Sequence, residues 1–170
     1  MIRALGRIAL CAVLCCAGGC GYTMSASLDG GPERTLRLTT IENRLFPNRP
    51  GYEYDLTRRL KDEIATDRRL KLSEGQADVV LEVALTRFVE PNLVEDLKTG
   101  RPAEVLLSAR ATVVARGKTV PGGEVRRTVN VSTSYAPALG EPREVGMTRL
   151  WRDMAREILD VAADTEWAAR

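Results

Sequence analysis

Residues 77–89 read ADVVLEVALTRFV and carry the clearest strand pattern in the chain. Apolar residues recur at every second position, at Val79, Leu81, Val83 and Leu85. Since successive side chains of a strand point to opposite sides, the alternation gives one strongly apolar side and one mixed side. The segment therefore predicts a strand that packs one side on a core.

The same alternation recurs on either side of residues 77–89. It predicts further strands at 35–42, 104–116 and 125–135, with a short strand at 70–73. The residues from Gly117 to Gly123 include Pro121-Gly122-Gly123 and predict a β-hairpin between the last two strands. Residues 90–102 hold two prolines and a glycine, and they predict a long loop.

Two segments have the spacing of an amphipathic helix. In the first, Tyr52 to Asp67, the residues Leu56, Leu60 and Ile64 share one side. The second runs from Thr148 to about Trp167, and its apolar stripe comprises Leu150, Trp151, Met154, Ile158, Val161 and Ala162. The order strand, helix, strands, helix implies an α+β two-layer sandwich with both helices on one face of the sheet.

The first twenty residues, MIRALGRIALCAVLCCAGGC, have the pattern of an export signal. Arg3 and Arg7 precede an apolar stretch, residues 8–17, that is too short to span a bilayer. Small residues before Cys20 resemble the lipobox of bacterial lipoproteins, although Ala17 stands where that motif usually has Leu. We therefore expect a signal peptide at 1–19, a lipidated tether at 20–34 beginning with Cys20, and a single domain at 35–170.

The cysteines agree with lipidation. All four lie within the first twenty residues, so cleavage before Cys20 leaves one thiol that cannot form an internal disulfide. An ordinary signal peptide cut elsewhere, with Cys20 as a free thiol, is the alternative. Gly21 occupies the position at which enteric lipoproteins retained in the inner membrane have Asp. By resemblance to those lipoproteins, we expect this protein on the periplasmic side of the outer membrane.

Composition removes whole classes of function. The chain of 170 residues has no histidine, the commonest general base and metal ligand, and no phosphate-binding glycine loop. Arg3 and Arg7 belong to the leader, which leaves 23 basic against 23 acidic residues and argues against a nucleic-acid partner. The sequence therefore predicts a binding or assembly protein without a metal or cofactor, rather than an enzyme.

Charged residues in and beside the long loop are the candidate site. Glu90, Glu95 and Asp96 could support glycosidase chemistry, but acids in loops are normally solvated. Clustered basic residues bind phosphate, or serve only as solubilising charge; those near the loop are Arg87, Lys98, Arg101 and Arg110. Trp151 lies on the apolar stripe and is expected in the core, whereas Trp167 is a contact residue or a frayed end.

Several short segments together resemble the LptE family of lipopolysaccharide-assembly lipoproteins. These are Cys20-Gly21-Tyr22, the strand and Asn in TLRLTTIEN, the helix beginning near Tyr54, the segment Ala77-Asp78-Val79-Val80-Leu81, and a terminal helix ending in Trp167. The resemblance implies two helices packed on a mixed sheet of about four strands. It also implies a plug for the outer-membrane β-barrel LptD that helps the barrel assemble and contacts lipopolysaccharide.

Two other functions remain open on the residues alone. A periplasmic scaffold or regulatory lipoprotein that binds a cell-wall synthase would have the same leader and composition. An enzyme acting on envelope glycans would depend on the loop carboxylates Glu90, Glu95 and Asp96.

Overall fold

A computed structural model describes residues 34–163. The strands are β1 (Arg34–Leu38), β2 (Glu42–Asn43), β3 (Leu70–Leu72), β4 (Val79–Val89), β5 (Asn92–Glu95), β6 (Pro102–Arg116) and β7 (Glu124–Tyr135). The helices are α1 (Tyr52–Thr66) and α2 (Arg143–Ala163), with 3-10 turns at Pro121–Gly123 and Pro137–Leu139. The leader 1–19, Cys20, the tether up to residue 33 and Trp167 lie outside the described residues.

The seven strands form one mixed sheet. β1 runs parallel to both β3 and β4, and β2 is parallel to β4. β6 is antiparallel to β4, β5 and β7, so that β7 forms one edge of the sheet. The predicted α+β arrangement of two helices on a mixed sheet is confirmed.

The expected number of about four strands is wrong, because the sheet has seven. The unpredicted strands β2 and β5 are two and four residues long, too short to show a repeating alternation, whereas the short strand predicted at 70–73 is β3. β5 lies inside the predicted loop 90–102. α2 begins at Arg143 rather than at the predicted Thr148.

The core lies between the helices and one face of the sheet. Leu56, Leu60 and Ile64 of α1 are buried, as the helical spacing predicts. Trp151 of α2 is also buried, and both helices join the alternate residues of β4 and β6 in one apolar cluster. No helix among residues 34–163 covers the opposite face, called the open face, on which Arg87, Arg110 and Asn130 are exposed.

Asp78, which directly precedes β4, fastens β1 to this strand. Its carboxylate accepts hydrogen bonds from Thr35 N (2.8 Å) and Thr35 Oγ1 (2.6 Å), while its own N–H donates to Thr35 Oγ1 (2.9 Å). These hydrogen bonds hold the pKa of Asp78 below its usual value. These contacts thus fix the register of β1 with β4.

The sandwich has two ends along the direction of its long strands. The entry end is where β1 and β4 begin and β6 ends. The far end is where β4 ends and where both helices begin, since Arg143 at the start of α2 donates to Tyr52 at the start of α1 and to Glu90 just after β4. Arg34, the first described residue, therefore lies at the entry end.

Candidate binding surface

The open face of the sheet carries a pair of arginines that face each other across two strands. Arg87 of β4 is in register with Arg110 of β6, and both side chains are exposed. Arg110 Nε donates to Asn130 Oδ1 at 2.6 Å. Within residues 34–163 neither guanidinium has a carboxylate within 4.0 Å.

An irregularity in β4 produces this pair. The register with β6 passes from Leu85 opposite Ala111 to Arg87 opposite Arg110, so Thr86 is an extra residue. A bulge of this kind reverses which side of the sheet the following residues occupy. Arg87 therefore lies on the open face, whereas unbroken alternation would have put it on the side of Leu85, in the core.

The same bulge brings Phe88 to the helix side. Its ring lies 5.0 Å from that of Tyr52 in an edge-to-face arrangement, and Tyr52 contacts Trp151 in the same way at 5.3 Å. The sequence pattern gave no sign of this aromatic cluster, because it depends on a single extra residue in β4.

Lys98 and Arg101 lie elsewhere, at the tip of the β5–β6 hairpin. The turn is built by Asp96, whose Oδ1 accepts from the backbone N–H of Lys98 at 2.8 Å. Arg101 precedes β6, and nine residues of strand carry the chain from it to Arg110, a distance of about 30 Å. The four basic residues thus form two groups: one on the open face and one at the hairpin tip.

The three loop carboxylates have different partners. Glu90 is in an ion pair with Arg143 (Nε–Oε1 2.7 Å, Nη2–Oε2 2.8 Å) and accepts from Tyr135 Oη at 3.2 Å. Arg143 holds the pKa of Glu90 below its usual value, and so Glu90 stays ionised and unsuited to act as an acid. Glu95 accepts from Asn92 Nδ2, and Asp96 is engaged in the turn.

A different charge cluster lies at the entry end of the open face. Arg116 of β6 donates to Glu82 of β4 and, through Nε at 2.8 Å, to Glu124 of β7. This contact keeps the pKa of Glu124 below its usual value. Because Arg116 is flanked by two acids, its charge is neutralised locally, unlike the charges of Arg87 and Arg110.

Exposed large apolar side chains concentrate at the far end. Among the described residues only Leu72 of this class lies nearer the entry end; the others are Phe46, Tyr54, Leu93, Val94, Leu97, Leu139 and Val145. Leu97, at the hairpin tip, is fully exposed. Apolar side chains gathered at one end of a domain are typical of a contact surface.

Two further observations limit the chemistry of the described residues. No group of three or more His, Cys, Asp or Glu side chains in residues 34–163 is arranged to hold a metal ion. Within the same range, neither helix has both the length and the hydropathy needed to cross a bilayer.

A sheet backed by helices on one face, with a charged open face and an apolar end, defines a protein that works by contact with other molecules. The model of the LptE family, described as lipopolysaccharide-assembly, matches residues 34–165. The chain belongs to this family, and it is an assembly protein rather than an enzyme. The resemblance drawn from the short segments is thereby confirmed.

Solved structures with the same fold are distant in sequence. The hypothetical protein CT253 from Chlamydia trachomatis has a TM-score of 0.56 at 9% identity, with 79% of this chain and 96% of that chain covered. Rare lipoprotein B from Shewanella oneidensis has a TM-score of 0.51 at 20% identity, with 76% and 96% covered. At these identities the likeness shows the fold alone. No curated protein matches the chain.

Proposed function

We propose that the protein is an outer-membrane lipoprotein that helps the β-barrel LptD to assemble and then plugs its lumen. In this role it assists the insertion of lipopolysaccharide at the outer membrane. Membership of the lipopolysaccharide-assembly family supports a role in lipopolysaccharide insertion. The open face of the sheet supports binding inside the barrel.

The polar character of the β7 part of that face is the observation that carries the proposal. On β7 the side chains that point away from the helices are exposed and uncharged over Thr128, Asn130 and Ser132, and Ser132 Oγ donates to Ser108 Oγ of β6 at 2.8 Å. The interior of a large membrane barrel is itself polar and hydrated. A sandwich with its core on one side and such a face on the other can occupy that interior while keeping its polar groups satisfied.

Arg87 and Arg110 are proposed to contact the phosphate groups of lipopolysaccharide. Two adjacent guanidinium groups repel each other across strands, and an anion between them removes the repulsion. Lys98 and Arg101 would contact a second part of the same molecule, because the hairpin tip lies about 30 Å from the pair.

Cys20 is proposed as the lipidated residue that holds the domain at the membrane. Residues 20–33 can span at most about 50 Å when fully extended, which limits how far the entry end can move from the bilayer. With the anchor at the entry end, the apolar far end points away from the anchored surface unless the tether folds back along the domain.

The proposal is tested by the state of the barrel in cells depleted of this protein. We expect LptD to lose its compact, heat-modifiable form on unboiled gels, and surface lipopolysaccharide to fall with it. Re-expression of the wild type should restore both, and a Cys20→Ala variant should restore neither fully because it lacks the anchor. Normal barrel folding and normal surface lipopolysaccharide in depleted cells would reject the assembly role.

A further inference from the structure

Within residues 34–163, the outer edge of β7 presents backbone groups that do not pair with another strand. Gly123 O, just before β7, accepts from Gly117 N, just after β6, at 3.2 Å, so odd-numbered residues of β7 turn their N–H and C=O groups toward β6. Because these groups alternate in direction, the even-numbered residues turn theirs outward; they are Glu124, Arg126, Thr128, Asn130, Ser132 and Ser134.

Contacts on the other side of β6 agree with this assignment. Arg110 O accepts from Thr86 Oγ1 of β4 at 3.3 Å, and Leu106 N donates to Pro91 O at 2.9 Å. Even-numbered residues of β6 thus face β4 and β5, which leaves its odd-numbered residues to pair with β7.

This edge is long and has little protection. β7 has twelve residues, pairs with β6 without a register shift, and contains no proline. Within the described residues, one outward backbone group has a side-chain partner: Ser134 O accepts from Arg149 Nη2 at 2.6 Å. Natural proteins usually guard such an edge with bulges, prolines or charges, and here Arg126 and Arg127 guard only its beginning.

The two sides of the edge differ in polarity. On the helix side Val129 and Val131 are buried, whereas on the open side Thr128, Asn130 and Ser132 are exposed. A strand added to β7 would have apolar cross-strand neighbours on one side and polar neighbours on the other. The edge therefore suits a strand with alternating apolar and polar residues.

We propose that β7 pairs, by strand addition, with an extended segment of the barrel protein. This rests on the proposed function, which supplies a partner whose strands alternate in that way. Main-chain hydrogen bonds to Thr128, Asn130 and Ser132 give the affinity, and the polarity of the two sides sets the register. The domain thereby binds a barrel segment before that segment pairs with its neighbouring strand in the closed barrel.

A second copy of this chain meets a conflict at the edge when the two strands pair about Asn130. An antiparallel two-fold pairing about Asn130 would bring Arg126 of one copy opposite Ser134 of the other. The carbonyl of Ser134 is already bound by Arg149, so two guanidinium groups would meet there. An unrelated strand does not carry this conflict.

Hydrogen exchange at single-residue resolution tests the pairing directly. In the free lipidated protein we expect the amides of Thr128, Asn130 and Ser132 to exchange rapidly, while those of Val129 and Val131 exchange slowly. In the complex with the barrel the first group should slow by at least about 100-fold, because paired strand amides exchange only when the strand opens. This alternate-residue pattern is specific to pairing along the edge.

Substitution of Thr128 provides the matched test. Its N–H points outward, so Thr128→Pro removes a donor from the edge without removing a bond to β6, whereas Thr128→Ala keeps the N–H. We expect the proline variant to reduce recovery of the barrel about tenfold relative to the alanine variant, which keeps the main-chain donor. Thermal unfolding of the free protein checks that both variants fold.

The outcomes separate the two proposals. If the barrel complex forms but the even-numbered amides still exchange rapidly, the pairing is rejected and the proposed function stands. If no complex forms with the wild type, the proposed function itself fails. If the even-numbered amides slow in the free protein together with a doubled mass, the occupant is a second copy and the barrel segment is rejected.

Discussion

Arg87 and Arg110 show how a single extra residue determines the chemistry of a surface. Their residue types and their nearness to the loop are visible in the sequence, and both were candidates on that basis. The sequence does not show that the two arginines lie side by side, because this depends on the register of β4 with β6 after the bulge at Thr86. Lys98 and Arg101 were grouped with them because they are near in sequence, but a strand separates the two sets.

The arginine pair can be tested by a double substitution. Arg87→Gln with Arg110→Gln should lower affinity for lipopolysaccharide, by about tenfold or more if each arginine makes one charge-assisted hydrogen bond to phosphate. Stability should be unchanged or rise by up to about 1 kcal/mol, since cross-strand repulsion is removed. Binding of labelled lipopolysaccharide and thermal unfolding measure the two effects.

A matched control for the pair is Arg58→Gln with Arg68→Gln. Both of these arginines are exposed and lie in or just after α1, away from the open face, and the net charge changes equally. Equal loss of binding in the control would mean that total charge, rather than the pair, holds the ligand.

Glu90 is predicted to stabilise the fold in a pH-dependent way. Glu90→Gln should cost about 1–3 kcal/mol at neutral pH, because Arg143 loses a partly buried anionic partner. Arg143 lowers the pKa of Glu90 in the folded state, so the contribution is full above the unfolded value of 4.5 and is lost as the pH falls through the folded value. Denaturant unfolding of both proteins from pH 7 to pH 3 should show the difference shrink in acid.

Glu95→Gln is the control for that experiment. Glu95 lies near the same end but is exposed, and within residues 34–163 its carboxylate accepts one side-chain hydrogen bond, from Asn92 Nδ2 at 3.2 Å. A change of comparable size in this variant, or a pH-independent effect of Glu90→Gln, would contradict the role assigned to the Glu90–Arg143 pair.

At the level of elements, length decides what the sequence reveals. The long strands β4, β6 and β7 and the helix α1 have enough residues for a repeating pattern, and all four were predicted. β2 and β5 have four residues or fewer and depend on pairing with a long neighbour, so their local sequence resembles a loop. The early start of α2 at Arg143 is fixed by contacts with Glu90 and Tyr52, which no local pattern reports.

The junction between β4 and the β6–β7 hairpin is predicted to be intolerant of a methyl group. A Cβ at Gly117 would lie 1.9 Å from the backbone oxygen of Asp78, so Gly117→Ala must separate the strands. We expect a loss of about 1–3 kcal/mol in the free energy of unfolding, measured with denaturant. At Gly75 a Cβ meets nothing within 4 Å, and Gly75→Ala should be neutral or slightly stabilising. Equal tolerance at both positions would contradict the close contact.

The whole molecule is polarised along its strands. Arg34 lies at the entry end, where charged groups such as Arg116, Glu82 and Glu124 pair with one another. The far end carries most of the exposed large apolar side chains. The sequence shows each of these residues, but only the topology places them at opposite ends.

The exposed apolar side chains of the far end should therefore contribute to binding of the barrel without contributing to folding. Leu97 is fully exposed, so Leu97→Ser should leave thermal stability unchanged and weaken the complex about tenfold if the side chain is buried on binding. Leu72→Ser, at a partly exposed position nearer the entry end, is the control and should not affect affinity. Unchanged affinity in the Leu97 variant would exclude the hairpin tip from the interface.

The most direct test of the account is to isolate the lipidated protein from its native envelope in mild detergent. The sample is analysed without boiling, and co-purifying proteins are identified by mass spectrometry. The account predicts recovery of an outer-membrane β-barrel in equal amount with this protein. Recovery of a cell-wall synthase in its place, or of lipid alone, would contradict the account and favour a periplasmic scaffold.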